Sequence, residues 1–151
     1  MQLGNWPVAY ACWGTENREA AVRFLRGGHG NPYGANVEVK VIDPSANPYF
    51  ATAAVLGLAL DGIERKAPLP PETTVDPNVL TEAERAAAGT VALSDSQADE
   101  IEALDHSTRL RAILGDPAVN VLVAVRRYEH ETYSHLDAEA LTDKFRMAWS
   151  L

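Results

Sequence analysis

Apolar and polar residues alternate most regularly between Asn36 and Ile42. Val37, Val39 and Val41 take one side, while Glu38, Lys40 and Ile42 take the other. A period of two predicts a half-buried strand. Two shorter segments also read as strands. Val8–Trp13 is aromatic and bounded by Pro7 and Gly14, and Ala20–Leu25 sets Val22 and Phe24 against Ala21 and Arg23. Arg18–Leu25 and Asn36–Ile42 are expected to pair antiparallel across the glycine-rich stretch Arg26–Gly34. That loop is long for a tight hairpin, and it lacks the Gly-Lys-Ser/Thr ending of a P-loop.

Beyond Ile42 the pattern turns helical. Asn47 followed by Pro48 is a cap and first-turn signal, and Tyr49–Lys66 continues as a helix that is apolar on nearly every side up to Leu60. Such a helix is expected to be buried. Ala67-Pro68-Leu69-Pro70-Pro71 cannot continue it and should run extended. A loop follows to about Val91, with one short helix near Thr81–Ala88. Ser94 or Asp95 then caps a helix to Leu114, with Ile101, Leu104 and Leu110 on one stripe. Gly115-Asp116-Pro117 separates it from a helix to about Ser134, and Asp137 caps a last one, Ala138–Trp149. The fold class read from this order is α+β, a small antiparallel sheet of two or three strands followed by three or four packed helices. A sheet that small keeps exposed edges, and the residues before Val8 carry no element of their own. The chain's start reads either as a loose terminus or as a cut inside a longer protein.

Composition narrows the partners. The 151 residues carry 13 Lys+Arg against 21 Asp+Glu, a net charge of −8, which argues against a general nucleic-acid binder. No apolar run is long enough to cross a bilayer and no secretory signal opens the chain, so no membrane role is expected. The single cysteine, Cys12, excludes an intrachain disulfide and reads as a small buried side chain in a reducing, cytoplasmic setting. His130 and His135 stand five apart, not the four a shared metal prefers, and with His29 and His106 they read as surface residues.

Glu38 and Lys40 lie two apart on one strand face, about 6.5–7 Å along the chain. This is either the solvated side of an amphipathic strand or a carboxylate that can ligate a metal beside a cation that can hold an anionic group. Arg18 and Arg23 lie upstream in the segment expected to neighbour that strand. Guanidinium forks beside a metal-capable carboxylate suit a triphosphate. Being five apart, they share a face only if the chain turns near Arg18; otherwise they are surface partners of Glu16 and Glu19.

Three ordered blocks sharpen the choice. Trp13-Gly14-Thr15-Glu16-Asn17-Arg18, with Arg23, resembles the "W-G-x-x-N-R-x-x-x-x-R" segment of glutamine synthetases. Glu38-Val39-Lys40-Val41-Ile42-Asp43, followed by Asn47-Pro48-Tyr49, resembles that family's "E-x-R-x-x-D-x-x-x-N-P-Y" stretch. Gly57-Leu58-Ala59-Leu60-Asp61-Gly62-Ile63 resembles its "A-G-L-D-G-I" helix. The resemblance implies the C-terminal part of a glutamine synthetase catalytic domain over residues 1–151. It implies an ATP-dependent ligase of nitrogen metabolism: ATP phosphorylates the side-chain carboxylate of glutamate, and ammonia or another amine displaces the phosphate, with Mg²⁺ or Mn²⁺ present. Carried over by position, Arg18 and Arg23 contact ATP, Glu38 ligates metal, and Lys40 holds the substrate acid.

Lys40 stands where the family usually has arginine, and a point charge replaces a planar fork. In this it is similar to the FluG and nodulin-type branch. Asn36 also replaces a residue that is commonly arginine. The family's other metal ligands lie upstream of the matched blocks, and its enzymes are rings of subunits. The resemblance therefore implies that this chain works with its own N-terminal portion and neighbouring subunits of a homo-oligomer, and that alone it is inactive. No tyrosine occurs between Tyr49 and Tyr128, so regulation by adenylylation in the loop after the apolar helix is not expected. The alternative is a non-catalytic partner-binding or scaffolding module of the same descent.

Overall fold

A computed structural model describes residues 9–43 and 45–148. Val8 of the first expected strand and Trp149 of the last expected helix lie outside these residues. The chain divides into two compact units, one of Met1–Ala51 with Asp61–Leu93, the other of Thr52–Leu60 with Ser94–Leu151.

The first unit holds the strands. β1 (Tyr10–Ala11) pairs antiparallel with β5 (Val91–Ala92). β2 (Trp13–Thr15), β3 (Val22–Leu25) and β4 (Asn36–Val39) form a three-stranded sheet in that order. The expected antiparallel pairing of the last two holds, with Arg23 opposite Glu38 and Phe24 opposite Val37. Val8–Trp13 is not one strand, because the chain changes partner at Cys12: Tyr10 faces Ala92, whereas Trp13 faces Val22. β2 joins β3 in parallel, although only residues 16–21 link them. So short a crossover must reverse the chain twice, and Glu16 takes φ 55° to do so. Cys12 is half-buried rather than buried. The fully or nearly buried residues described in this unit are Tyr10, Gly14, Ala20, Ala21, Thr73, Pro77 and Thr90. The glycine-rich loop closes on itself through reciprocal Gly28–Asn31 backbone hydrogen bonds of 3.1 and 3.0 Å.

α1 runs Pro48–Glu64, and Asn47 caps it by accepting from the Tyr49 and Phe50 amides. The expectation that this helix is buried fails. None of its residues is buried, and Leu56, Leu60 and Ile63 are 59%, 59% and 73% exposed. An all-round apolar helix needs cover on every side, and the described residues leave part of its circumference open. Close packing does occur at Gly57, where an added Cβ would stand 2.3 Å from Ile113 Cγ2. α2 (Glu82–Ala87) carries a capping box between Thr81 and Glu84.

The second unit is helical. The expected helix to Leu114 is two: α3 (Gln97–Asp105), capped by Ser96 rather than by Ser94 or Asp95, and α4 (Thr108–Leu114). Ser107 breaks it, its hydroxyl accepting from the Leu110 amide as a new N-cap. α5 (Asp116–Tyr133) and α6 (Ala138–Phe145, capped by Asp137) follow. Val119, Val123 and Ile101 form the core, with Leu104 and Leu114 against them. Among the described residues no helix is long and apolar enough to cross a membrane.

Arg111 and Arg127 tie α3, α4 and α5 together. Arg111 bonds Asp105, Asp116 and Asn120, and Arg127 bonds Glu102 and Asp105. The Arg127 hydrogen bond, then that of Arg111, lowers the Asp105 pKa from its ordinary value. A carboxyl depressed in the folded state contributes stability above its unfolded pKa and loses it as pH falls through the folded one. Melting followed from about pH 7 to about pH 2 should therefore show a loss of stability that begins near the ordinary aspartate range. Asp105→Asn should flatten that loss; an unchanged acid profile in this variant would refute the assignment.

Candidate functional site

The four sequence-singled residues all belong to the first unit, and the sheet brings them together in two groups. Across the β3–β4 ladder Arg23 stands directly opposite Glu38, and their side chains form an ion pair, Nη1 to Oε2, at 3.4 Å. Arg23 is the more enclosed, its side chain 18% exposed against 44% for Glu38. The Arg23 Nε is buried and has no hydrogen-bond partner among the described residues. Arg23 thus keeps one guanidinium donor unspent beside a half-exposed carboxylate.

Lys40 follows the end of β4, and its amide continues the ladder to the Ala21 carbonyl at 2.9 Å. Its residue alternates onto the same side as Glu38. Arg18 sits in the tight link between β2 and β3, where the turn required for it to share a site with its neighbours is present. An open pocket of about 200 Å³ is lined by Arg18, Lys40, Glu19, Asn78 and small residues including Ala20 and Ala21. Among the described residues neither the Arg18 nor the Lys40 side chain has a hydrogen-bond or ion-pair partner. At this pocket Arg18 and Lys40 set two unspent cations beside one carboxylate, Glu19, in a chain of net charge −8.

Sequence reasoning did not select Asn78 or Glu19 for this pocket. Asn78 belongs to a 3₁₀ turn, Pro77–Val79, capped by Asp76 and far along the chain. No local pattern connects that turn to the strands. Glu19 was weighed only as a surface partner of the arginines.

The donor set bears on what the site can hold. Among the described residues no three His, Cys, Asp or Glu side chains gather to hold a metal ion. Glu38 thus stands without two further His, Cys, Asp or Glu side chains beside it among the described residues. His106 and His130, both in the second unit, bond the Glu102 carbonyl and Gln97.

The model of the glutamine synthetase catalytic domain matches residues 1–144. A gamma-glutamylpolyamine synthetase of Streptomyces coelicolor is 37% identical over 147 residues, 97% of this chain and 32% of that protein. Protein fluG of Emericella nidulans is 35% identical over 93% of the chain and 16% of its own length. A glutamine synthetase of Pyrococcus abyssi is 37% identical over 87% of the chain and 29% of its own. A solved crystal structure described as a novel glutamine synthase homolog superposes with a TM-score of 0.74 at 30% identity, covering 93% of this chain and 30% of that one. The chain thus spans a third or less of the length of these relatives.

Proposed function

Because the chain belongs to the glutamine synthetase family through its catalytic domain, we propose that it is the C-terminal part of such a domain and supplies the phosphate-facing side of an ATP-dependent glutamate–ammonia or glutamate–amine ligase. What carries this reading is one juxtaposition. Arg18 and Lys40 line one pocket, and Lys40 lies two residues along the chain from the Arg23–Glu38 pair.

In the proposed reaction a carboxylate oxygen of glutamate attacks the γ-phosphorus of ATP, and ADP leaves. The amine nitrogen then attacks the acyl carbon of the γ-glutamyl phosphate, phosphate leaves with the bond electrons, and a proton is lost from nitrogen. Arg18 and Arg23 hold phosphate oxygens in place through charge-assisted hydrogen bonds. The Arg23 donors keep their aim because Glu38 stands opposite them in the ladder. Glu38 would supply one carboxylate toward a Mg²⁺ or Mn²⁺ ion, which, when bound, would supply charge neutralisation for the phosphoryl transfer. Lys40 orients the substrate acid as a point charge, a looser constraint than an arginine fork. The amine is ammonia or, as the name of the Streptomyces relative suggests, a larger amine. The setting is cytoplasmic, in a homo-oligomer that includes the chain's own N-terminal portion.

The test uses phosphate release with ATP, Mg²⁺, glutamate and a panel of amines. The 151-residue chain alone should release none above background. Joined in place of the matching third of the Streptomyces relative, it should restore release that depends on all four components. Turnover by the chain alone would refute its inactivity. A folded hybrid with no turnover would favour the second reading, a partner-binding or scaffolding module. The exposed Leu56, Leu60 and Ile63 of α1 support that alternative.

A further inference from the structure

Arg18 is not carried by a strand, so something else must fix it. The link 16–21 between two parallel strands is held by a segment more than fifty residues away in sequence. The Asn17 side-chain oxygen accepts from the Glu19 amide at 2.9 Å, closing the turn around Arg18. Its side-chain nitrogen donates to the Thr73 carbonyl at 2.8 Å and the Val75 carbonyl at 3.0 Å. The proline-rich strap is also bound to β2 just ahead of that point. The Thr73 amide donates to the Trp13 carbonyl at 2.9 Å, the Trp13 indole to the Pro70 carbonyl at 2.9 Å, and the Thr15 amide to the Glu72 carboxylate at 2.7 Å. Hydrogen bonding by the Thr15 side chain and amide lowers the Glu72 pKa. Gly14 completes the fit. A Cβ there would stand 2.4 Å from the Thr73 carbonyl oxygen, so only glycine lets strap and strand approach this closely.

We propose that Asn17 is the positioning residue for Arg18: it locks the turn that presents Arg18 to the strap Pro70–Val75, so that binding of a triphosphate depends on this distant segment. The inference rests on the reading of Arg18 as a phosphate contact. Asn17 touches no substrate and acts only through its neighbour. An unlocked turn leaves Arg18 the same charge but costs ordering entropy each time it engages an anion.

The experiment uses the hybrid that carries this chain in the Streptomyces relative, with the Mg²⁺ complex of a non-hydrolysable ATP analogue, and pairs calorimetric affinity with amide hydrogen exchange. The variants are Asn17→Ala, Asn17→Asp, Gly14→Ala and Arg18→Ala. Aspartate keeps the oxygen that closes the turn but loses the donor to the strap carbonyls. Both Asn17 variants and Gly14→Ala should speed exchange together at Thr15–Glu19 and Glu72–Val75, leave the β3–β4 amides protected, and weaken the analogue about tenfold or more. Asn17→Asp behaving like the parent would show that the local turn suffices and overturn the lock. Faster exchange with unchanged affinity, where Arg18→Ala loses binding, would overturn the positioning role. Loss of β3–β4 protection in all three variants would make the contact a folding element and also overturn it. If the parent binds no better than Arg18→Ala, the phosphate reading of Arg18 fails and the inference fails with it. The exchange data would still report whether turn and strap are joined.

Discussion

Replacing Glu38 by alanine in the active hybrid should lower metal-dependent phosphate release by about 100-fold or more, since a direct ligand matters at least as much as the outer-sphere groups that orient one. Two effects are mixed in that variant. On the proposed role alanine would take the carboxylate from the cation, and it also strips Arg23 of its partner at 3.4 Å. Glu38→Gln separates them. The amide keeps the shape and an oxygen able to accept from Arg23, but it brings no charge to the metal. Equal losses in both variants, with the Mn²⁺ requirement raised, are the expected result. Activity retained in glutamine but lost in alanine would mean that Glu38 only aims Arg23. Activity retained in both would return Glu38 to the solvated face of an amphipathic strand.

The largest stability effect is expected at Val119. It is fully buried at the centre of the Ile101–Val119–Val123 cluster on which α3 and α5 meet. Val119→Ala should cost about 2 kcal/mol through lost burial and a residual void. Val119→Asp should cost about 4 kcal/mol or more, because a carboxylate would stand among aliphatic side chains with no cation to pair. Against a total of about 5–15 kcal/mol for an ordinary domain, the second change should leave the helical unit largely unfolded at room temperature. Urea titration followed by helical circular dichroism measures both. An aspartate variant as stable as the alanine variant would mean that position 119 reaches water in solution.

These two positions were legible in the sequence to different degrees. Val119 and Val123 fall on one helical stripe, and the caps Asn47 and Asp137 are local signals that the structure repeats at the same residues. The alternation around Glu38 gave its strand, and the antiparallel partner followed from proximity along the chain. The family blocks then picked out Arg18, Arg23, Glu38 and Lys40 from other charged residues that composition alone treats alike. Periodicity was silent where the chain changes partner. Nothing in Tyr10–Trp13 announces that pairing switches at Cys12, nor does any local pattern announce the parallel β2–β3 pair. The helix to Leu114 was read as continuous because a serine hydroxyl at Ser107 caps as readily as it points to solvent.

By itself the sequence determined what local forces decide: the alternating strand around Glu38, the caps Asn47 and Asp137, the Val119–Val123 stripe, and which motif residues bear charge. Only the tertiary structure decided what long-range contacts settle. It set Arg23 against Glu38 with one donor left over, gathered Arg18, Lys40 and Asn78 at one pocket, and latched Asn17 to carbonyls beyond fifty residues away. It also left α1 exposed where its composition asked for cover. The physical reason is one of range. Backbone sterics and period act over a turn or a strand, whereas a side-chain donor finds its acceptor only after loops have closed and paid their entropy.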